Sequence, residues 1–410
     1  MVAIAFMMPL EPKLVTGPII LLSFASLLLI KEWRPQHFKS LSVWLQFSLL
    51  CLAAFFLLHI IGQLWTEHLD EGWKDIGRKL NLLILPLLIL VLSLDERAII
   101  RVLKAFILGV FFSVILNMGQ STLDYMDRHE SIVFMGEYAI HYLHLGYYAI
   151  YLLFSMSIIL DFLLSGSLGR KSWNKGLYIF IGLSSIPILV FSGSKMGFLT
   201  LIALIGLMLI FLLRGRSLKR VILLPMLVIG MLIGAVLGTE HLSYRLHTMY
   251  ETTFNSPIVP DDTESTMARR MTWNASSDLW SENAMLGVGT GDVQAELMAE
   301  YEEKGFNGPY SKSLDPHSQY LQSAAALGIL GFMFLLFSML IPFIISARKG
   351  YFTQSAFFLV MLLACLTESV LERQAGIQFY AFFAPILLIW MDQRDKNNAT
   401  TKDILNLWPF

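Results

Sequence analysis

Charge is scarce in this chain of 410 residues: Asp, Glu, Lys and Arg together make up 15% of it, against roughly 25% in ordinary soluble domains. Apolar residues make up 56%, more apolar surface than a soluble core absorbs. Cysteine is nearly absent. Cys51 and Cys365 both fall inside apolar runs, which leaves none outside for a disulfide or a thiolate metal site. No basic stripe is present and the net charge is -1, so nothing points to a nucleic acid partner. Internal repeats, low-complexity tracts and a soluble domain at either end are also missing. The apolar run Val2 to Leu10 lacks the basic start and small-residue cleavage site of a signal peptide. Too short to cross a bilayer alone, it reads as a half-helix or the end of a twelfth span.

What the chain does contain is apolar residues in long blocks, each near the 17 to 25 residues that carry a helix across about 30 Å of hydrocarbon. Blocks near 14–30, 43–63, 80–94, 102–118, 144–164, 176–192, 197–213, 221–238, 318–346, 352–371 and 376–391 predict an all-α integral membrane protein with about eleven to twelve transmembrane helices. Lysines and arginines set its orientation, because short loops rich in them stay cytoplasmic. One alternating set of loops holds 17 of them and the opposite set holds 6. The C-terminus is therefore expected inside. The chain divides into an N-terminal bundle (1–238), a large outer loop (239–316), C-terminal spans (317–391) and a cytoplasmic tail (392–410). A smaller outer loop is expected at 119–143.

The large loop holds 13 acidic against 5 basic residues, so its cations stand out. Two helices are expected within it, one between Pro260 and Trp280 led by the cap-forming DDTES, and an acidic one from Asp292 to Glu303. Between them GVGTG, Gly287 to Gly291, follows no strand and has no phosphate-loop spacing; it reads as a tight turn with close backbone packing. Arg269 and Arg270 are neighbours on the first helix and point about 100° apart, so one at most faces a common ligand; the alternative for either is an ion pair with a loop carboxylate. Arg245 is a weaker anion-binding candidate. His317 stands where the chain returns to the membrane, either as a structural histidine or as a base that titrates near neutrality. Lys195, Glu368, Glu372 and Arg373 lie at helix ends, where charges are costly unless paired or facing a cavity. Lys195 alternatively snorkels to headgroups, and ESVLERQAG (368–376) alternatively holds an internal Glu–Arg pair. His141 and His144 are three apart but lack a third ligand at metal-site spacing, and read as an interfacial belt. A transporter would place paired charges at midplane and show repeated halves with broken helices; neither is visible.

The segment RRMTWNASSDLWSENAMLGVGTGD followed by DPHSQYLQSAAALGILG resembles the O-antigen ligase and Wzy-type polymerase superfamily of membrane glycosyltransferases, tightly over 264–331. SGSKMG, 192–197, is similar to that family's Ser-x-Ser-Arg-Gly helix end. Ala284, Ser318, Ala326 and Lys195 depart from its usual proline, asparagine, glutamate and arginine. The resemblance implies a GT-C-like fold in the bacterial inner membrane with the active site facing the periplasm. It further implies transfer of a glycan from undecaprenyl diphosphate to an acceptor hydroxyl, with inversion and without metal or other cofactor. The acceptor would be lipid A-core in a ligase or a second lipid-linked glycan in a polymerase, and the single large loop before a histidine-led helix tilts the reading toward ligase. His317 would then be the catalytic base, and Arg269, Arg270, Lys195, Arg245, Glu368 and Arg373 would surround the substrate. Cations suit a site where a diphosphate leaving group gains charge.

Overall fold

Backbone groups inside a bilayer find no water to bond, so each apolar run closes its own hydrogen bonds as a helix. The computed structural model describes residues 1–28, 36–92, 94–165, 172–213, 247 and 250–407, and among them regular structure is helical throughout, with no strand. The protein is an all-α membrane protein. Before the large loop come α1 (Val2–Met7), α2 (Pro12–Leu28), α3 (Gln36–Ser40), α4 (Val43–Ile61), α5 (Leu69–Lys79), α6 (Asn81–Val91), α7 (Glu96–Arg128), α8 (Leu145–Ser165), α9 (Ser172–Ser192) and α10 (Lys195–Leu213). The loop contributes a π-helical turn (Glu251–Asn255), α11 (Ser265–Glu282), α12 (Val293–Glu303) and α13 (Asn307–Ser311). After it follow α14 (Gln319–Lys349), α15 (Phe352–Thr367) and α16 (Gln374–Leu407).

Seven described helices, α4, α7, α8, α9, α10, α14 and α16, are long and apolar enough to cross a membrane. α2 and α15 are apolar and slightly shorter, reaching roughly 24 to 26 Å at 1.5 Å per residue. The run expected to cross at 80–94 does not do so alone: α6 has 11 residues, about 16 Å, and continues from the amphipathic α5. The expected span at 221–238 lies outside the described residues. Val2 to Leu10 yields only the six-residue α1, lodged against α7 where Gly109 leaves room; a Cβ there would sit 2.1 Å from the Phe6 carbonyl oxygen. Within the small outer loop expected at 119–143, residues 119–128 are helical: α7 runs unbroken for 33 residues to Arg128, about 50 Å and longer than the hydrocarbon requires.

Lipid gives no hydrophobic drive between helices, so their association rests on packing. α7, α8, α15 and α16 meet on a buried aromatic cluster: Phe106 lies edge-on to Phe383 at 4.9 Å between centroids, and Phe154 edge-on to Phe357 at 5.0 Å. Such pairs add roughly 0.5 to 1.5 kcal/mol each beyond their buried area. Leu21, Phe24, Leu28, Ile202 and Leu213 are exposed, as a lipid-facing surface requires.

One span is broken on purpose. α14 contains a non-helical residue, Gly328, at φ 64° and ψ -159°. The break frees carbonyls that need donors, and the GVGTG turn supplies them: the Val288 and Gly289 amides donate to Ala325 and Ala326 at 2.8 and 3.0 Å, while the Ile329 amide donates to Ala284 at 2.9 Å. The turn reading of GVGTG holds, and its glycines have identifiable work. Gly287 has φ 71° and approaches the Ala326 backbone so closely that a Cβ would lie 2.4 Å away. Thr290 and Asp292 carry the clamp onward, Thr290 bonding the His59 carbonyl at 2.7 Å and Asp292 accepting from the Glu67 and His68 amides at 2.8 Å. Those two amides and the His68 ring hold the Asp292 carboxyl below its ordinary pKa, outweighing the burial that alone would raise it. Gly328→Ala would place a methyl 2.2 Å from the Met285 carbonyl oxygen in backbone space open essentially to glycine. It is expected to cost at least about 1 to 3 kcal/mol, read as a lowered unfolding temperature in detergent; an unchanged value would show that the break carries no strain-sensitive contact.

Polar contacts sort to the two ends of the bundle. At one end Lys349 and Tyr351 bind Asp395, and Trp390 donates to Glu96. At the other end lie the large-loop helices, the start of α10 and α14, and the 368–373 connection between α15 and α16, where the candidate residues gather.

Candidate active site

His317 belongs to neither loop helix nor span. Ser318 caps α14 through its hydroxyl, which accepts from the Leu321 amide at 3.4 Å, so His317 stands one residue outside the helix rather than on its first turn. Its φ of 47° is in the left-handed region, uncommon for a residue with a side chain though several-fold less so for Asn, Asp and His. Neighbours hold it there. Asp315 accepts the His317 amide at 2.8 Å, the Trp273 indole donates to the His317 carbonyl at 3.4 Å, and Thr272 donates to the Pro316 carbonyl at 3.2 Å. Both latter donors come from α11, so the stripe carrying Arg269 and Trp273 also positions the histidine. On the ring, Nδ1 faces Glu368 Oε2 and Asp315 Oδ1, each at 3.6 Å. Nε2 makes no hydrogen bond among the described residues.

Arg269 and Glu368 are joined across two elements: the guanidinium donates to Glu368 Oε1 at 2.5 Å and to the Thr367 carbonyl at 3.2 Å. Burial by itself would raise the Glu368 carboxyl. The His317 ring and the Arg269 guanidinium outweigh it, and the pKa lies below the ordinary carboxylate value. Lys195, at the start of α10, donates to Glu264 Oε1 at 2.5 Å and to the hydroxyls of Ser265 and Thr266. Glu264 in turn caps α11 by accepting from the Thr266 amide at 2.8 Å. Its carboxyl too is held low despite burial, by Lys195 and the two amides it caps. So Lys195 neither snorkels nor stands apart; it ties the α10 start to the α11 start beside His317.

Arg270 turns the other way. Both its hydrogen bonds, at 2.7 Å, run to the carbonyls of Thr252 and Ser256 in the π-helical turn, which fits the 100° divergence from Arg269. Arg245 lies outside the described residues. The internal Glu–Arg pair expected in ESVLERQAG does not form: Glu368 goes to Arg269, Glu372 goes to Lys79 at 2.6 Å, and Arg373 is exposed with no ion pair. The reason is geometric, since a 3-10 turn over Val370–Glu372 points neighbouring side chains toward different elements. His141 pairs with Asp124 at 3.8 Å, away from the site, whereas His144 reaches it. Among the described residues no group of three or more His, Cys, Asp and Glu is arranged to hold a metal ion.

Three cavities meet at His317. A small one of about 200 Å³ is lined by Lys195, Arg269, Lys312, His144 and Glu368. A larger one of about 520 Å³ opens among α2, α8 and α16, past Tyr147, Asp315 and Arg373. The third, also about 520 Å³, opens among α5, the GVGTG turn and α12. Sequence reasoning missed Asp315, Arg78, Lys312 and the facing role of His144. It also missed Lys79, buried between Asp75 (2.6 Å) and Glu372 (2.6 Å), with Gln319 of α14 donating to the far oxygen of Glu372 at 3.0 Å. The i,i+4 spacing of Asp75 and Lys79 before an apolar run, and the two-residue step from Asp315 to His317, were the available signals.

Residues 180–336 match the family model described as O-Antigen ligase. Over this region, 157 of the 410 residues, the chain is similar to that family. The matched stretch contains Lys195, Arg269, Arg270 and His317, and it stops before the Glu368 to Arg373 connection that completes the site. A search of curated proteins finds no match to the chain. Members of that family are glycosyltransferase-like ligases or polymerases working on lipid-linked glycans, so the match supports an enzymatic role at a membrane.

Proposed function

We propose that this protein transfers a glycan from undecaprenyl diphosphate to a hydroxyl of lipid A-core, at the periplasmic face of the bacterial inner membrane, by inverting displacement without a metal ion. The observation that carries this reading is the position of His317 at the junction of three cavities, with two carboxylates on Nδ1 and a free Nε2. That is the arrangement of a general base: one nitrogen oriented, the other open to take a proton. Nε2 removes the acceptor hydroxyl proton, the oxygen bonds to the anomeric carbon, and the bond from that carbon to the diphosphate oxygen breaks with its electrons leaving on the lipid diphosphate. The small cavity suits the diphosphate, since Lys195, Arg269, Lys312 and His144 converge there and fixed cations stabilise a leaving group that gains charge. Glu368 and Arg269 aim each other and the imidazole at the same point. A larger cavity takes the acceptor. The basic asymmetry of the loops supports the orientation.

The test is purified protein in lipid with a synthetic undecaprenyl diphosphate glycan, offered lipid A-core or a second lipid-linked glycan. Product on lipid A-core alone supports a ligase, and elongation of the lipid-linked chain identifies a polymerase instead. Arg269→Ala is expected to lower transfer about 10² to 10³-fold, the scale seen on removing one donor to developing charge. Arg269→Lys recovers only part, since an ammonium lacks the planar fork. Arg270→Ala should instead lower stability, by roughly 1.5 to 3 kcal/mol per charged hydrogen bond lost, and leave turnover of the folded fraction near wild type. The reverse pattern, or transfer abolished by EDTA and restored by magnesium, would sink the assignment of the diphosphate to the small cavity.

A further inference from the structure

The third cavity holds two cations that the proposed donor site does not use, Arg78 and Arg373, and shares Lys312 with it. Arg78, Lys312 and Arg373 all line it, together with His317. Its acids are already engaged: Asp75 and Glu372 by the buried Lys79, Glu71 by Lys74 at 2.6 Å, and Asp315 by the His317 amide and the Ser369 hydroxyl. The cations are less so: Arg373 and Lys312 are exposed and make no ion pair among the described residues, and Arg78 pairs with Asp75 only at 3.9 Å with nearly half its side chain exposed. With Lys74 and Lys79 counted beside the lining, five cations meet four carboxylates, so the balance at this cavity is positive by one charge.

We propose that this cavity is an acceptor subsite for an anionic sugar: Arg78, Lys312 and Arg373 bind a phosphate monoester or uronate carboxylate on the acceptor glycan and so present a neighbouring hydroxyl to His317. The inference rests on the glycosyltransferase reading above. It follows from chemistry that three cations in one concave polar site, two with no ion pair among the described residues and the third held only at 3.9 Å, favour an oxyanion, and arginine favours one that accepts two hydrogen bonds. A neutral glycan would leave the three cations without a purpose in the site.

The experiment uses the full chain in phosphatidylcholine nanodiscs and measures equilibrium binding of glucose, glucose 6-phosphate, glucuronate and inorganic phosphate, with lipid diphosphate donor binding measured in parallel. At least tenfold tighter binding of glucose 6-phosphate or glucuronate than of glucose is expected, the two probes showing which oxyanion is preferred. Arg78→Gln with Arg373→Gln should weaken that binding at least tenfold and leave donor affinity within about twofold. Keeping the charges, Arg78→Lys with Arg373→Lys, should preserve the preference for charged sugars, which separates loss of charge from loss of fold. Equal binding of glucose and glucose 6-phosphate overturns the proposal. So does loss of donor instead of sugar binding in the Gln variant, which would place the diphosphate here, and so does inorganic phosphate binding as tightly as the sugar phosphate, which would mark a free-anion site. His317→Asn should retain sugar binding while losing transfer. If it retains both, the base assignment fails and the subsite stands.

Discussion

Replacing His317 by alanine is expected to lower glycan transfer by about 10² to 10⁴, the usual contribution of a positioned general base. The structure changes which substitutions make the test clean. At φ 47° alanine adds left-handed backbone strain of roughly 1 to 2 kcal/mol, so a loss of activity with alanine alone would mix chemistry with misfolding. Asparagine tolerates that backbone and keeps a hydrogen-bonding side chain without a group that takes a proton at neutral pH. His317→Asn should therefore unfold like wild type, bind donor like wild type and turn over as poorly as His317→Ala. His317→Gln, equally unable to accept the proton but without asparagine's tolerance of this backbone, should match it in turnover of the folded fraction. The measurement is product formation beside donor binding in the same lipid preparation. If Asn or Gln sustains turnover within about tenfold of wild type, the imidazole orients substrate and does not act as base.

Much of this site could be read from the chain because bilayers penalise charge. Lys195, His317 and Glu368 were visible as charges or a titratable ring at the outer ends of apolar runs and Arg269 as a scarce cation in an acidic loop, and the structure joins all four around one small cavity. Which partner each one takes was not visible. Glu368 and Arg373 are five residues apart and looked like a local pair, yet partner choice follows from the 3-10 turn between them and from what α5 and α11 present across the gap. Arg269 and Arg270 looked equivalent as letters and differ entirely in surroundings, because one faces the bundle and the other the π-helical turn. Most of the described spans were readable from hydropathy, while the 80–94 run forms only an 11-residue helix. The break at Gly328 was not, since glycine is common in membrane helices and only the donors of the GVGTG turn make an unwound carbonyl pair affordable.

Lys79→Met should be the most destabilising single substitution in the site's frame. Lys79 is fully buried, and its ammonium lies 2.6 Å from Asp75 and 2.6 Å from Glu372. His59 adds no compensating charge of its own, facing Asp75 only at 4.0 Å. Removing one partner of such a network leaves uncompensated buried charge and costs about 3 to 5 kcal/mol. The loss would propagate to the site, because Glu372 also accepts from Gln319 at the start of α14, and the Gln319 amide oxygen takes the Leu371 amide at 2.6 Å. Through those bonds Lys79 fixes both the base-bearing entrance to α14 and the connection carrying Glu368 and Arg373. Neutralising the whole network separates charge from shape: Lys79→Met with Asp75→Asn and Glu372→Gln leaves no buried ion, so most of the lost stability should return. Thermal unfolding of the single and triple variants in nanodiscs decides the matter. Equal destabilisation of the two would mean that packing around the lysine stem, rather than its charge, holds α5 to the 368–373 connection.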